Sequence, residues 1–367
     1  MAEPMTEAMR KAEHEMVVCN ACRYCEAYCP VFQAMEQRVT FPPGDLTYLA
    51  NLCHNCGECL YACQYAPPHE FGIDVPKTLS KMRVESYEAF AWPSFAAAAF
   101  RRPWLTPAVL VVLAAYLLGP VLAPTRRWRI FDLMAHPDDF YAILPHATLV
   151  TVFGIAGMFA VVALAVGHRR FNAAVRTAAD PGSRLPNPGL HAARDVFTLK
   201  HLHATGEDCV DAEEQRTPWR RWMHHCTFYG FALCFASTTV AAIYHLFFGW
   251  IAPYAYTSLP VVLGTLGGIG LLIGPAGLFL VDRGRDPALT HESERSLGGA
   301  FLALLFLTSA TGLVLLIWRA SRAMPILLVI HLAVVLALFL TLPYGKFVHG
   351  IYRAAALMKF RREEHGG

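Results

Sequence analysis

The chain has 367 residues, enough for two domains, and is 55% hydrophobic with mean hydropathy +0.36, more apolar than an ordinary soluble protein. Its formal charge of +3 is small and says nothing about nucleic acid, and no nucleic-acid partner is expected. Eleven cysteines and sixteen histidines are the unusual entries.

Met1 to Val18 is polar and charged with no apolar h-region, so no signal peptide is expected and the head should stay in the cytoplasm, where thiols remain reduced. Thr6–Val18 has helical composition and leads into Cys19-x2-Cys22-x2-Cys25-x3-Cys29-Pro30. A matching run follows, Cys53-x2-Cys56-x2-Cys59-x3-Cys63, with Gln64 where the first run has proline. A thiolate every third residue wraps three corners of an iron–sulfur cube, and the fourth cysteine of such a run ligates the other cluster in two-cluster ferredoxins. Cys19, Cys22, Cys25 and Cys63 are therefore expected on one [4Fe–4S] cluster, and Cys53, Cys56, Cys59 and Cys29 on its neighbour. Zinc is usually held by two separated cysteine pairs and fits this spacing badly. Between the runs, Phe41-Pro42-Pro43-Gly44 reads as a turn and Asp45 as the N-cap of a helix through Leu52. Strand signals are poor, which favours an all-helical head over residues 1–90.

Val75–Phe100 reads as one or two helices, and residues 91–104 as a linker on the membrane surface. Beyond it, six uncharged segments reach the length of about 20 residues that a spanning helix needs. They are Leu105–Ala123, Leu144–Gly167, Cys226–Gly249, Leu259–Val281, Gly299–Trp318 and Met324–Leu342. The fold class is thus all-α: a helical two-cluster ferredoxin-like head, then a six-helix transmembrane haem b bundle over 105–350. Residues 168–223 form a cytoplasmic loop and 351–367 a cytoplasmic tail. Six spans put both termini on one side. The Arg/Lys excess of the 168–223 loop, Arg283, Arg285, Arg295 and Lys359-Arg361-Arg362 makes that side cytoplasmic, against Arg126, Arg127, Arg129, Arg319 and Arg322 opposite. Cys209 in the loop, and Cys226 and Cys234 in a span, read as packing or incidental residues.

Histidines at membrane depth carry the second signal. His331 and His349 are 18 residues apart, so on one continuous helix they share a face, one near each surface. The third span offers His224 or His225 at its start and His245 at its end. Antiparallel topology matches His349 with His224 or His225, and His331 with His245. Two bis-histidine b-type haems follow, or one. His146 is a second-tier candidate, as ligand or quinone contact. Gly264, Gly267, Gly268, Gly270, Gly274 and Gly277 line the fourth span, for close helix packing.

Clusters and haems carry single electrons, and the sequence has no phosphate loop or dinucleotide fingerprint. A separate flavoprotein dehydrogenase is the expected donor, and a quinone in the lipid bilayer the expected acceptor. The two cysteine runs, with His224-His225-Cys226-Thr227-Phe228-Tyr229-Gly230-Phe231 closing on Tyr244-His245, resemble the tricarballylate-utilisation (citrate-utilisation) protein B family over nearly the whole chain. The segment from His331 to Pro343-Tyr344-Gly345-Lys346-Phe347-Val348-His349 is similar to the last span of respiratory nitrate reductase gamma subunits, in which both histidines bind haem. The third-span histidine spacing differs from that family. The resemblance implies a bacterial inner-membrane subunit that reoxidises the FADH2 of a tricarballylate-oxidising flavoprotein. A related module fused to a flavoprotein in a cobalamin-pathway oxygenase keeps a biosynthetic alternative open. A cluster-based sensor or a transporter without haem is the remaining rival.

Overall fold

The computed structural model describes residues 5–121, 140–176, 187–202, 209–210 and 216–364. Arg126, Arg127, Arg129 and the middle of the 168–223 loop lie outside the described residues, as does the Cys209 side chain. The described chain is helical throughout, apart from a two-residue antiparallel ladder that pairs Cys209 with Thr217.

The head begins with α1 (Glu7–Cys22), which Thr6 caps by accepting from Met9 N at 3.2 Å. It continues with α2 (Pro30–Glu36), α3 (Pro43–Leu52), the short α4 (Glu58–Tyr61) and α5 (Val75–Phe90). α3 starts two residues before the expected cap: Pro42 is the N-cap and Pro43 opens the helix, where its missing N–H costs nothing. Asp45 is instead buried in the first turn, 2.9 Å from Arg38 Nε. Two proline-initiated turns of helix, α6 (Ser94–Ala97) and the 3₁₀ turn Ala98–Arg101, then bend by 111° into α7 (Leu105–Val121).

After α8 (Phe140–Ile143) come α9 (His146–Val175), α10 (Pro188–Thr198), α11 (Trp219–Phe248), α12 (Leu259–Gly284), α13 (Glu292–Ile317), α14 (Met324–Thr341) and α15 (Val348–Glu363). Five of these (α9, α11, α12, α13 and α14) are long and apolar enough to cross a membrane, and there are six if the bent α6–α7 pair is one broken span rather than a re-entrant loop. Their outward surfaces carry large apolar side chains such as Tyr116, Ile155, Val161, Leu246 and Phe247, each more than 60% exposed. Apolar surface of that extent belongs against lipid, and the architecture is that of a multi-pass membrane protein. α11 and α12 meet backbone to backbone. A Cβ at Gly230 would lie 3.0 Å from Gly267 O, and one at Gly267 would lie 2.8 Å from Cys234 Sγ, so the glycine face of α12 is a packing seam.

The continuous helix expected from His331 to His349 does not form. Residues 342–347 are a turn: Pro343 has no N–H to give the helical ladder, and Tyr344 N bonds Thr341 O only three residues back, at 3.1 Å. α15, set apart in the sequence as a tail, packs into the head instead. Tyr352, Ala356 and Phe360 join Met16, Phe32, Met35, Leu46 and Leu79 in one buried core, together with Phe171 and Val175 from the projecting end of α9. Phe171 and Tyr352 stack at 4.8 Å, and Gly44 lets α3 lie against the Ala174 carbonyl. Buried ion pairs fasten the same junction: Arg38 to Glu363 at 2.6 Å, Arg83 to Glu294 at 2.6 Å, and Lys346 to Glu294.

Candidate functional site

The cysteine runs get their shape from three left-handed backbone positions. α1 ends at Cys22, and Arg23 (φ 55°) turns the chain so that its N–H closes on Cys19 O at 2.8 Å. In the second run Asn55 (φ 57°) and Gly57 (φ 98°) make the corresponding reversals. A Cβ at Gly57 would also press on Leu289 Cδ2 at 3.0 Å. Cys29 is the N-cap of α2, so its sulfur faces the Val31 and Phe32 amides.

These turns bring the eight thiols into two sets. Cys19, Cys22, Cys25 and Cys63 line a cavity of about 240 Å³ with Val18, Phe32, Tyr65 and Ile73 as its apolar walls. Cys29, Cys53, Cys56 and Cys59 close around about 20 Å³, beside His54 and His201. Each run's fourth cysteine stands with the other run's first three, and Phe32 lines both cavities. Burial pushes the Cys25 thiol up to about 11, and neighbouring Cys63 and Cys22 add to it. Cys19, Cys29 and Cys59 are raised further for the same two reasons. Thiols gathered in fours suit a polynuclear cation, whose charge compensates several thiolates at once. Among the described residues no three His, Cys, Asp or Glu side chains converge on the spacing of a single ion. Four thiols around each cavity are the donor set of an iron–sulfur cluster, and at the inner cavity a bound cluster would spread the thiols.

The histidines fall into different company. His224 on α11 faces His349 at the start of α15, with ring centroids 6.2 Å apart and planes at 78°. Two imidazoles that share one metal at about 2 Å each have centroids roughly 6 Å apart. His349 Nδ1 donates to Lys346 O at 2.6 Å, which leaves Nε2 as the free ligand atom. His225 points elsewhere and stacks on Tyr229 at 5.8 Å. His245 meets His146, not His331: their rings stack at 3.7 Å and 26°, with Tyr141 beside both. Stacked imidazoles present faces rather than lone pairs to each other, so this pair as placed does not fit one metal. His331 instead holds Thr311 Oγ1 at 3.0 Å and lies against Gly312, where a Cβ would approach its Cε1 to 2.9 Å.

Between the inner thiols and the His224–His349 pair lies a set of arginines that the sequence reading missed. Arg353 donates to Cys53 O, and Arg220 donates to His54 O at 2.9 Å and Asn55 O at 2.8 Å. Arg285 also reaches Asn55 O at 2.6 Å, and Arg83 reaches Cys53 O at 3.1 Å. The signal available was helical spacing: Arg220 stands one turn before His224 and Arg353 one turn after His349.

Comparison with known proteins agrees with this organisation in two parts. The family described as Citrate utilization protein B matches residues 102–366, and its Fer4-like domain matches residues 12–89. A curated Citrate utilization protein B from Escherichia coli is 46% identical over 370 residues, covering 100% of this chain and 95% of that protein. This chain belongs to the Citrate utilization protein B family. Within that family description the two thiol cavities fall in the ferredoxin-like part, and the paired histidines fall in the apolar part. No solved structure matches the chain.

Proposed function

We propose that this protein is a membrane-anchored electron-transfer subunit of citrate or tricarballylate utilisation. It takes electrons from a FAD-containing partner dehydrogenase and delivers them to membrane quinone. Cys19, Cys22, Cys25 and Cys63 would hold one [4Fe–4S] cluster, Cys29, Cys53, Cys56 and Cys59 a second, and His224 with His349 a b-type haem. When bound, these groups supply one-electron redox couples. The chain's own contribution is to hold their ligands in sequence.

The observation that carries this reading is the adjacency of three ligand sets. The two cavities share the Phe32 wall, and the inner one is joined through Arg353 and Arg220 to the helices that bear His349 and His224. Tyr24, 66% exposed at the mouth of the outer cavity, marks the face open to a partner. Cys53, His54 and Asn55 are buried, so solvent is kept from the inner step of the series. α1 and α15 share one buried core, which supports both described ends lying on one side of the spans. With the Arg/Lys-rich loops there, that side is the cytoplasm of a bacterial inner membrane.

Iron and acid-labile sulfide analysis of the purified protein, with absorption spectra before and after dithionite, tests the assignment. Two clusters per chain and reducible b-type bands are expected. A preparation that binds iron but shows no such bands would leave the clusters and remove the haem. One with neither overturns the electron-transfer role.

A further inference from the structure

We infer that Arg353, supported by Arg220, is an electrostatic bridge that raises the reduction potential of the inner cluster and ties its loop to the histidine pair. The inference rests on the electron-transfer reading above.

Its geometry is specific. Arg353 and Arg220 approach the Cys53–Asn55 loop from two helices, and each stands one turn from a histidine of the His224–His349 pair. Both spend donors on main-chain carbonyls of the loop. Arg353 has no carboxylate partner among the described residues, and its enclosed Nε has no hydrogen-bond partner. A guanidinium so placed is costly unless an anionic group compensates it, and four thiolates around a cluster supply that charge.

The surroundings differ at the outer cavity. There the buried carboxylate Glu58 acts on Cys25. A cation beside a redox centre stabilises the state with one more electron, and an anion disfavours it; net charge is among the determinants of cluster potential. The arrangement therefore slopes downhill for electrons, from the cavity open to a partner toward the one beside the histidines.

EPR-monitored redox titration of the full-length protein tests this. Arg353→Gln is expected to lower the midpoint of one cluster, the one missing in Cys29→Ser, and to leave the other unchanged. Arg353→Lys, which keeps the charge and loses the fork, is expected to restore most of the shift. An unshifted inner cluster in Arg353→Gln, a parallel shift of both clusters, or no recovery with lysine overturns the inference. Where Arg353→Gln fails to retain the inner cluster, Arg220→Gln reads the same effect from the other helix, and an unmoved midpoint there overturns it equally. Wild-type protein lacking two clusters overturns the functional reading as well; wild-type protein holding both, with immobile potentials in the variants, overturns the bridge alone.

Discussion

The outer and inner thiol cavities share Phe32 and differ in most other respects. The outer one is the larger, walled by apolar side chains, with the acidic Glu58 acting on Cys25. The inner one is much smaller, lined by His54 and His201, and gripped through its backbone by arginines that come from membrane helices or the chain around them. The same cysteine spacing thus serves two environments. Spacing fixes which metal chemistry is possible, whereas the second layer of residues fixes what that metal is for.

The largest expected effect tests the crossing of ligands. Cys29→Ser should remove the cluster of the second run's cysteines, and Cys63→Ser that of the first, each roughly halving iron per chain. Loss of the cluster belonging to the mutated run itself would break the comparison between the cavities. Next come the histidines: His349→Leu and His224→Leu should abolish the cytoplasmic-side b-type absorption, while His225→Leu should retain it. A spectrum sensitive to His225 and indifferent to His224 would reverse the assignment.

A smaller effect distinguishes the cavities by backbone. Gly57→Ala places a side chain at φ 98° and against Leu289. The strain is worth about 1–3 kcal/mol. Thermal melting should occur earlier and iron should leave the inner site first; equal loss from both sites would mean that the head loosens as a whole.

The smallest effect is at the outer cavity and depends on pH. Burial raises Glu15 from 4.5 to about 7, although Asp74 N and Thr78 Oγ1 donate to it at 3.0 Å. Across that window the folded state holds a proton that the unfolded chain releases, so stability falls as pH rises from about 4.5 to about 7. Glu15→Gln should flatten the head's melting curve against pH in this interval, and an unchanged slope would show that another group sets it.

Much of this was legible in the sequence because it is local. Two cysteine runs, six apolar stretches and a glycine-lined fourth helix all follow from spacing and periodicity. What failed was longer in range. A period of 3.6 residues placed His331 and His349 on one face, but the turn at Pro343 interrupts the ladder between them, so phase is lost. His245 found His146 because α9 lies beside α11 there, and no periodicity within a helix reports its neighbour. The arginines escaped notice because charges at helix ends read as orientation signals for the membrane. Arg285, counted toward that bias, in fact turns onto Asn55 O.

The packing of α15 has a consequence for biosynthesis. The cysteines are translated first, but Tyr352, Phe360 and Arg353, which complete the head's core and hold Cys53, come last. Domains generally fold as units from the N-terminus onward; this head must wait until every span has been threaded into the bilayer. Clusters held by the eight thiols would then be loaded onto a protein already in place, and a ribosome stalled before α15 would leave those thiols on an unfinished scaffold.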